Sequence, residues 1–296
     1  MIIGGGPAGL TAAAYAIRKR IETILICEDL GGKTNYNFRL PNVDTNIIID
    51  GQELVSKFKN QIEYLDFARC VSKVDKFERR RGGFIATTSD YTFKARCAII
   101  ATGITPKQLN LPGEKEFLGR GVSYSTVSHA PVFTGMEVAV IGEGNRALQA
   151  AMQLSQVAEK VSVVGVSAKY ANSPLGKKIR QSGKVVFLTG YVVKEILGDE
   201  SPDRLVLSTK KGEELIVPAR GIFVEIGFTP NSQPFARLVK TTRDGRIMIN
   251  ENNQTSIPGL FAAGDVTNIQ AQQVLIAMGE GANAALNAAD YLLGVK

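Results

Sequence analysis

The feature that most constrains this chain is a glycine-rich turn close to its first residue, Gly4-Gly5-Gly6-Pro7-Ala8-Gly9. The apolar run 1–3 precedes the turn, and helix-forming residues follow it over 10–19. A second apolar run, 23–27, ends at Glu28. A strand, a glycine turn, a helix and a second strand ending in an acid make up a dinucleotide-binding unit. The chain is therefore expected to bind a dinucleotide here.

Each glycine of this turn has its own predicted role. Gly4 permits the tight turn, Gly6 lets the backbone approach a pyrophosphate, and Gly9 lets the helix pack against the strand. The helix that begins near Pro7-Ala8 offers unpaired N–H groups and a positive dipole end to the diphosphate. Glu28 has the spacing of an acid that holds ribose hydroxyls. A tight strand-to-helix turn without a ligand is the alternative interpretation.

A second glycine turn, Gly142-Glu143-Gly144-Asn145-Arg146-Ala147, repeats this pattern in the middle of the chain. The apolar run 138–141 precedes it, and a helical stretch and the apolar run 161–164 follow. Two such units form an internal repeat of architecture. Glu143 places a negative charge where a pyrophosphate would lie, and we expect Arg146 to offset that charge in part.

The order of these segments predicts the domain organisation. A third glycine-containing block, 259–266, precedes a helix of small residues over 273–292. We therefore expect a split first dinucleotide-binding domain, 1–112 and 229–296, with a second dinucleotide-binding domain over 113–228 inserted in its middle. Both are predicted to be α/β, Rossmann-like three-layer dinucleotide-binding domains.

Composition excludes several other classes. Hydrophobic residues make up 44% and charged residues 21% of the chain, as in a soluble globular protein. The absence of a long apolar run and of a secretory leader predicts a cytoplasmic protein without a membrane span. The net charge of +7 includes the cluster Arg79-Arg80-Arg81, which predicts an exposed hairpin turn before Gly82-Gly83. The basic residues are not interleaved with aromatic residues, so the sequence does not predict nucleic-acid binding. A basic surface can nevertheless steer association with an acidic protein partner.

Six segments resemble landmarks of a known enzyme family. Three are similar to the two-dinucleotide-binding flavoproteins in general, namely Ala101-Thr102-Gly103, the segment 227–231 and Ala263-Gly264-Asp265. The other three, 119–124, 135–142 and 279–286, resemble the low-molecular-weight thioredoxin reductases, which are FAD-dependent pyridine nucleotide-disulfide oxidoreductases. The resemblance spans nearly the whole chain. It implies that the split domain, 1–112 and 229–296, binds FAD, that the inserted domain, 113–228, is NAD(P)-binding-like, and that the protein is a two-fold homodimer.

The resemblance also implies which residues contact FAD. Asp265 would hydrogen-bond the ribityl or pyrophosphate part, with capping of the following helix as the alternative. Gly32-Lys33 is similar to a segment that lies along FAD, with a solvated lysine as the alternative. Gln272-Gln273, before Val274, matches an Arg-Gln pair that reaches the flavin ring, so one positive charge is missing. The helix N-terminus at Gln273 is still expected to stabilise negative charge on reduced flavin.

The resemblance fails where the family carries Cys-x-x-Cys-Asp. This chain has Ser125-Thr126-Val127-Ser128-His129 there, and its three cysteines, Cys27, Cys70 and Cys97, lie far apart. A serine hydroxyl cannot attack a disulfide as a thiolate does, so the dithiol relay is not expected. His129, the only histidine, is a candidate proton donor to flavin. The alternatives are a hydrogen-bonded loop histidine and serines that cap a short helix.

The second nucleotide site departs from the family as well. Relatives that use NADPH have a basic cluster for the 2′-phosphate after the second strand, where this chain has Gly165-Val166-Ser167. This segment offers neither an arginine for that phosphate nor an acid for an NAD ribose. Three lysines follow this segment and are candidates to replace the missing arginines at the 2′-phosphate, namely Lys169, Lys177 and Lys178. The alternative is that these lysines are merely solvated. The sequence therefore does not decide whether the second site binds NADH, NADPH or another nucleotide.

These observations predict an FAD-dependent oxidoreductase of thioredoxin reductase type that passes electrons directly through flavin, with Ser125, Ser128 and His129 at the former dithiol position. A ferredoxin–NAD(P) reductase-like enzyme, with an acidic ferredoxin as partner, is the first alternative. A flavin- or nucleotide-binding sensor without turnover is the second.

Overall fold

The computed structural model describes residues 1–36, 38–41, 43, 48–65 and 68–294. The chain forms two compact units, one of Met1–Asn35, Asp50–Thr105 and Thr229–Lys296 and the other of Tyr36–Ile49 and Pro106–Phe228. The predicted α/β fold class with two parallel sheets is confirmed. The segment Tyr36–Ile49 belongs to the second unit, whereas the sequence analysis assigned it to the first domain.

The strands, in chain order, are β1 (Ile2–Ile3), β2 (Leu25–Cys27), β3 (Arg69–Val71), β4 (Lys76–Arg80), β5 (Gly83–Thr87), β6 (Thr92–Ala95), β7 (Ala98–Ile100), β8 (Ile104–Pro106), β9 (Val122–Ser123), β10 (Glu137–Ile141), β11 (Lys160–Val164), β12 (Val185–Leu188), β13 (Tyr191–Gly198), β14 (Pro202–Thr209), β15 (Glu214–Pro218), β16 (Gly221–Val224), β17 (Phe228–Pro230) and β18 (Leu260–Ala262). The α-helices are α1 (Pro7–Arg18), α2 (Gly51–Tyr64), α3 (Thr126–His129), α4 (Asn145–Leu154), α5 (Ala168–Ala171), α6 (Pro174–Arg180) and α7 (Val274–Leu293). Short 3₁₀ turns cover Gly32–Asn35, Ala130–Phe133 and Gln233–Phe235.

The first unit is built on a parallel sheet with the strand order β18-β7-β1-β2-β3. β1 lies at its centre, where Ile2 pairs with Leu25 on one side and Ile99 on the other. The central strands are short, apolar and buried, as in a parallel sheet covered by other elements. Helices α1 and α7 pack closely through small residues. The approach is so close that a Cβ on Gly281 would overlap the carbonyl oxygen of Ala8.

The second unit repeats this plan with the order β12-β11-β10-β16-β9. Val140 pairs with Val163 on β11 and with Phe223 on β16. An antiparallel sheet, β13-β14-β15, adds to this unit, and Leu205 and Leu207 of β14 join its buried core. The carboxyl ends of β10, β11 and β16 share one edge of the parallel sheet, which is where ligands bind in open α/β folds.

A small antiparallel sheet, β4-β5-β6, completes the first unit. β4 ends at Arg80 and β5 begins at Gly83, so the predicted hairpin turn at the arginine cluster is confirmed. Across the residues that the structure describes, every helix is too short or too polar to cross a membrane.

Candidate active site

The first glycine turn has the geometry of a phosphate cradle. Gly4 adopts φ +113°, and a Cβ there would overlap the carbonyl oxygen of Ala101. A Cβ on Gly9 would overlap the carbonyl oxygen of Gly4, so the helix can approach only because Gly9 has no side chain. A Cβ on Gly6 would instead have no heavy atom within 4 Å. Space is thus open at the position where a pyrophosphate is expected.

Helix α1 presents its N-terminus to the same open space. Its N-cap is Gly6 and Pro7 is its first residue, and no side chain caps the first-turn N–H groups. Uncapped N–H groups at a helix N-terminus, together with the positive end of the helix dipole, favour an anion. The residues present therefore fit a diphosphate.

Other predicted FAD-contact residues lie at the carboxyl ends of the same parallel strands. Glu28 is exposed and directly follows β2. The segment Ala101-Thr102-Gly103 follows β7, and Gly103 adopts φ +65° with open space at its Cβ position. Two hydrogen bonds join Thr102 to Asn231. Thr102 Oγ1 donates to the Asn231 carbonyl at 2.7 Å, and the Asn231 side-chain amide donates to the Thr102 carbonyl at 2.9 Å.

Asp265 follows the strand β18 and forms an ion pair with Lys33 of 2.6 Å. The side chain of Asp265 is 12% exposed, whereas that of Lys33 is 37% exposed. Asp265 is not the cap of α7, whose N-cap is Gln273, so the capping alternative is wrong. Lys33 is likewise ion-paired rather than merely solvated.

Glu280 is a site residue that the sequence analysis did not assign. Its carboxylate accepts a hydrogen bond of 2.9 Å from the N–H of Gly264, the glycine before Asp265. Gly264 adopts φ +76°, and its Cβ position lies 2.9 Å from the side chain of Ala8. Burial raises the pKa of Glu280 above its ordinary value. The only signal was the Gly279-Glu280-Gly281 triplet, in which an acid lies between small residues on a buried helix.

Helix α7 begins at Val274, one residue later than predicted. Gln273 is its N-cap but makes no side-chain capping hydrogen bond, and Gln272 precedes it. The helix is 20 residues long and has an uncapped, positive N-terminal end. The predicted stabilisation of negative charge on a ligand is thus compatible with its geometry.

The second glycine turn borders a cavity of about 370 Å³ in the second unit. Gly144 adopts φ +151° and is the N-cap of α4, and a Cβ on Gly142 would lie 2.5 Å from the carbonyl oxygen of Glu225. The lining residues are Glu143, Gly144, Asn145, Arg146, Tyr170, Glu225 and Ile226. The third glycine position is Ala147, which is fully buried.

Arg146 pairs with a residue that the sequence analysis missed. Its guanidinium lies 3.1 Å from the carboxylate of Glu225 and 4.5 Å from the ring centroid of Phe228. Arg146 was expected to offset Glu143, but its carboxylate partner is Glu225. Glu225 directly follows the apolar strand β16, and an acid at that position was the signal that could have identified it.

The end of β11 contains no arginine, as predicted. Gly165 adopts φ +85°, Val166 is buried, and Ser167 precedes α5 without making a capping hydrogen bond. Lys169 lies with its Nζ 6.0 Å from the ring centroid of Tyr170, which lines the cavity. Lys177 and Lys178 both lie in the last turn of α6.

The two serines at the former dithiol position are in contact. Ser125 Oγ donates a hydrogen bond of 2.8 Å to Ser128 Oγ and accepts one of 3.4 Å from the Ser128 N–H. Ser125 is the N-cap of α3, so the alternative interpretation, that the serines cap a short helix, is confirmed for Ser125. Thr126, between them, donates a hydrogen bond of 2.8 Å to Glu225 and so joins α3 to the residues of the second glycine turn.

His129 is the last residue of α3 rather than part of a loop. Its Nδ1 lies 2.7 Å from Ser123 Oγ, and its ring stacks on Phe38 with a centroid distance of 4.0 Å and an interplanar angle of 16°. Burial lowers the pKa of His129 to about 4. The imidazole is therefore neutral at pH 7, which argues against the predicted role of His129 as a proton donor through its imidazolium form.

All three cysteines are free thiols. Cys27 and Cys97 are buried, and burial raises their pKa values to about 12 and about 11. Cys70 is half-buried, and burial raises its pKa as well.

Comparison with known proteins identifies the family. Residues 1–282 match the family model described as pyridine nucleotide-disulphide oxidoreductase. Among curated proteins, the chain is 34% identical over 302 residues to an NADH dehydrogenase of Bacillus subtilis and 33% identical to one component of the alkyl hydroperoxide reductase of Staphylococcus epidermidis. These alignments cover 99% of this chain but only 58% and 59% of those proteins. The chain thus spans less than two thirds of the length of these relatives.

Solved structures give a full-length match. Thioredoxin reductase from Streptococcus pyogenes is 32% identical, with a TM-score of 0.89 and coverage of 99% of this chain and 97% of that one. Thioredoxin reductase from Giardia duodenalis is 29% identical, with a TM-score of 0.86 and the same coverage. Enzymes of this family use FAD and NAD(P)H. The chain therefore belongs to the pyridine nucleotide-disulphide oxidoreductase family, with a fold similar to that of thioredoxin reductases.

Proposed function

We propose that this chain is an FAD-dependent oxidoreductase of thioredoxin reductase type that passes electrons directly through flavin, without a redox-active disulfide. The observation that carries the proposal is the contact of 2.8 Å between Ser125 Oγ and Ser128 Oγ. The hydroxyls are in contact at the position where the family has two sulfurs. Hydroxyl groups cannot be oxidised to a disulfide, so this pair cannot store the two electrons that the family's dithiol carries.

The first unit would hold the cofactor. The open space at Gly6 and the uncapped N-terminus of α1 would bind the diphosphate, and Glu28 would bind a ribose. Asp265 and Lys33 would contact the ribityl and phosphate groups, since both already lie together beside the glycine turn. FAD, when bound, would supply the two-electron redox chemistry of a flavin.

The second unit would bind the electron donor as a nucleotide. Its cavity borders the second glycine turn, but the lining contains two carboxylates, and its only arginine, Arg146, is already paired with Glu225. A 2′-phosphate would thus meet no unpaired arginine there or at the end of β11. We infer that NADH is a better donor than NADPH.

His129 would not act as an acid through its imidazolium form. Its neutral ring carries one proton, and the 2.7 Å contact between Nδ1 and Ser123 Oγ is compatible with that proton on Nδ1 or on Nε2. The ring would therefore hold the Ser123 hydroxyl in place rather than protonate a bound group at pH 7. The homodimer implied by the resemblance is part of this proposal.

The test is anaerobic reduction of the FAD-loaded protein, measured as the loss of flavin absorbance at about 450 nm. NADH, NADPH and reduced ferredoxin are supplied separately, and dithionite defines full reduction. Rapid bleaching by NADH, with little or no reduction of thioredoxin at turnover, is the expected result. Bleaching by ferredoxin alone would favour the ferredoxin-linked alternative, and bleaching by dithionite alone would favour the sensor.

A further inference from the structure

A second cavity lies in the first unit, remote from the glycine turn. Its volume is about 330 Å³, and we name it the arginine cleft after its lining residues, Arg79, Arg80, Gly82, Gly83, Phe84, Arg96, Pro258, Tyr291 and Leu292. Tyr291 lies in the last turn of α7, whereas Val274 begins that helix. The two residues are separated by about 25 Å along the helix at 1.5 Å per residue. The cleft is therefore distinct from the predicted FAD site.

Close backbone packing forms the cleft. Gly83 pairs with Arg80 across the β4–β5 hairpin, and its φ is +150°. A Cβ on Gly83 would overlap the carbonyl oxygen of Ala95 and lie 2.9 Å from the Cα of Arg96. Because Gly83 has no side chain, Arg96 is brought against the hairpin that carries the other two arginines.

The charge of this region is strongly unbalanced. Residues 73–96 contain seven Lys or Arg and three Asp or Glu, so more than half of the net charge of +7 lies in this short segment. Arg80 is paired with Glu78 at 3.2 Å. For Arg79 and Arg96 the described residues provide no carboxylate partner, and the cleft lining contains no acid. Two arginines that line the cleft, both exposed, thus have no carboxylate partner among the described residues.

We propose that the arginine cleft binds a small molecule that carries phosphate groups. Guanidinium groups donate paired hydrogen bonds in a planar fork that matches phosphate oxygens, and two of them balance a doubly charged anion. Tyr291 also lines the cleft, and a tyrosine hydroxyl can donate one more hydrogen bond. The cavity volume lies at the lower end of the range for small-molecule sites, which suits one or two phosphate groups with a compact substituent.

The test is calorimetric titration of the FAD-loaded protein with inorganic pyrophosphate and, separately, with ADP. We expect saturable binding of pyrophosphate. The double variant Arg79→Gln/Arg96→Gln should weaken it at least tenfold. The matched control is Arg81→Gln/Lys94→Gln, which removes the same charge from exposed positions in or beside the same small sheet, outside the cleft lining. This control should change the affinity by less than about twofold, since it affects only the long-range field.

The same titration contains a gain-of-affinity arm. Glu78→Gln frees Arg80 and should tighten pyrophosphate binding severalfold, because a third guanidinium becomes available to the anion. ADP bound at this cleft must lose affinity in the Arg79→Gln/Arg96→Gln variant, whereas ADP bound at a glycine turn will not. The proposal is overturned if pyrophosphate shows no saturable binding, or if the control variant weakens it as much as the cleft variant does.

Discussion

The hydroxyl of Thr126 donates a hydrogen bond of 2.8 Å to the buried carboxylate of Glu225, which also pairs with Arg146 at 3.1 Å. Thr126 is 4% exposed and Glu225 is 8% exposed. The short helix that carries the two serines is thus tied to the second glycine turn through one carboxylate. A single acid serves both elements.

Replacing Thr126 with valine tests this connection. The change preserves the shape of the side chain but leaves one oxygen of Glu225 without its hydroxyl donor. We expect the free energy of unfolding to fall by about 1–3 kcal/mol, the cost of losing a hydrogen bond to a buried charged group. Urea denaturation measures it. Thr126→Ser keeps the hydroxyl and should recover most of the loss, so equal losses in both variants would contradict the role of the hydrogen bond.

The buried His129 should make stability depend on pH. Its pKa is lowered to about 4 in the folded protein, so between its ordinary pKa of 6.5 and about 4 the unfolded chain binds the extra proton. The free energy of unfolding should therefore decrease as pH falls through this window, by up to about 3 kcal/mol.

Denaturation at pH 7 and at pH 5 in the His129→Asn variant isolates this contribution. Asparagine does not titrate, so the variant should lose less stability on acidification than the original protein does. If the two proteins lose the same amount, other groups cause the acid sensitivity and the assignment to His129 is wrong.

Gly6→Ala should separate cofactor binding from folding. A Cβ on Gly6 meets no protein atom within 4 Å, so the free energy of unfolding of the flavin-free protein should change by less than about 1 kcal/mol. The same methyl group enters the space proposed for the diphosphate, and the flavin content after purification should fall severalfold. Absorbance of the bound flavin measures that content.

Gly9→Ala is the matched contrast for this experiment, because its Cβ would overlap the carbonyl oxygen of Gly4. It should destabilise the flavin-free protein by at least about 1 kcal/mol through forced backbone movement. Unchanged flavin content in Gly6→Ala would exclude the open space at Gly6 as the diphosphate site.

A double substitution can place a cysteine pair at the positions of Ser125 and Ser128. The 2.8 Å contact between Ser125 Oγ and Ser128 Oγ shows that side chains at these positions reach each other, which a disulfide requires. After oxidation with diamide, the Ser125→Cys/Ser128→Cys variant should contain two fewer titratable thiols in denaturant than after reduction. Either single variant serves as control and should show no such internal loss. Retention of all thiols in the double variant would show that the side chains cannot adopt disulfide geometry.

The sequence by itself determined the two dinucleotide-binding units. Glycine spacing, apolar runs and the acid at the end of β2 are local features, and the required φ values at Gly4 and Gly144 follow from turns that few other residues can adopt. The same local logic predicted the hairpin at the arginine cluster and the capping of α3 by Ser125. The sequence alone also shows that serines occupy positions 125 and 128, where the family has the two cysteines of Cys-x-x-Cys.

Only the tertiary structure decided which charged groups meet. Glu225 lies 79 residues from Arg146 along the chain, and Asp265 lies far from Lys33, so no spacing rule could pair them. The pKa of His129 depends on burial against Phe38, a residue from a distant segment. The arginine cleft likewise requires the end of α7 to lie beside the β4–β5 hairpin. Packing between distant segments decides how far each charged group is desolvated and which groups pair. A pattern of neighbouring residues in the sequence carries no information on either.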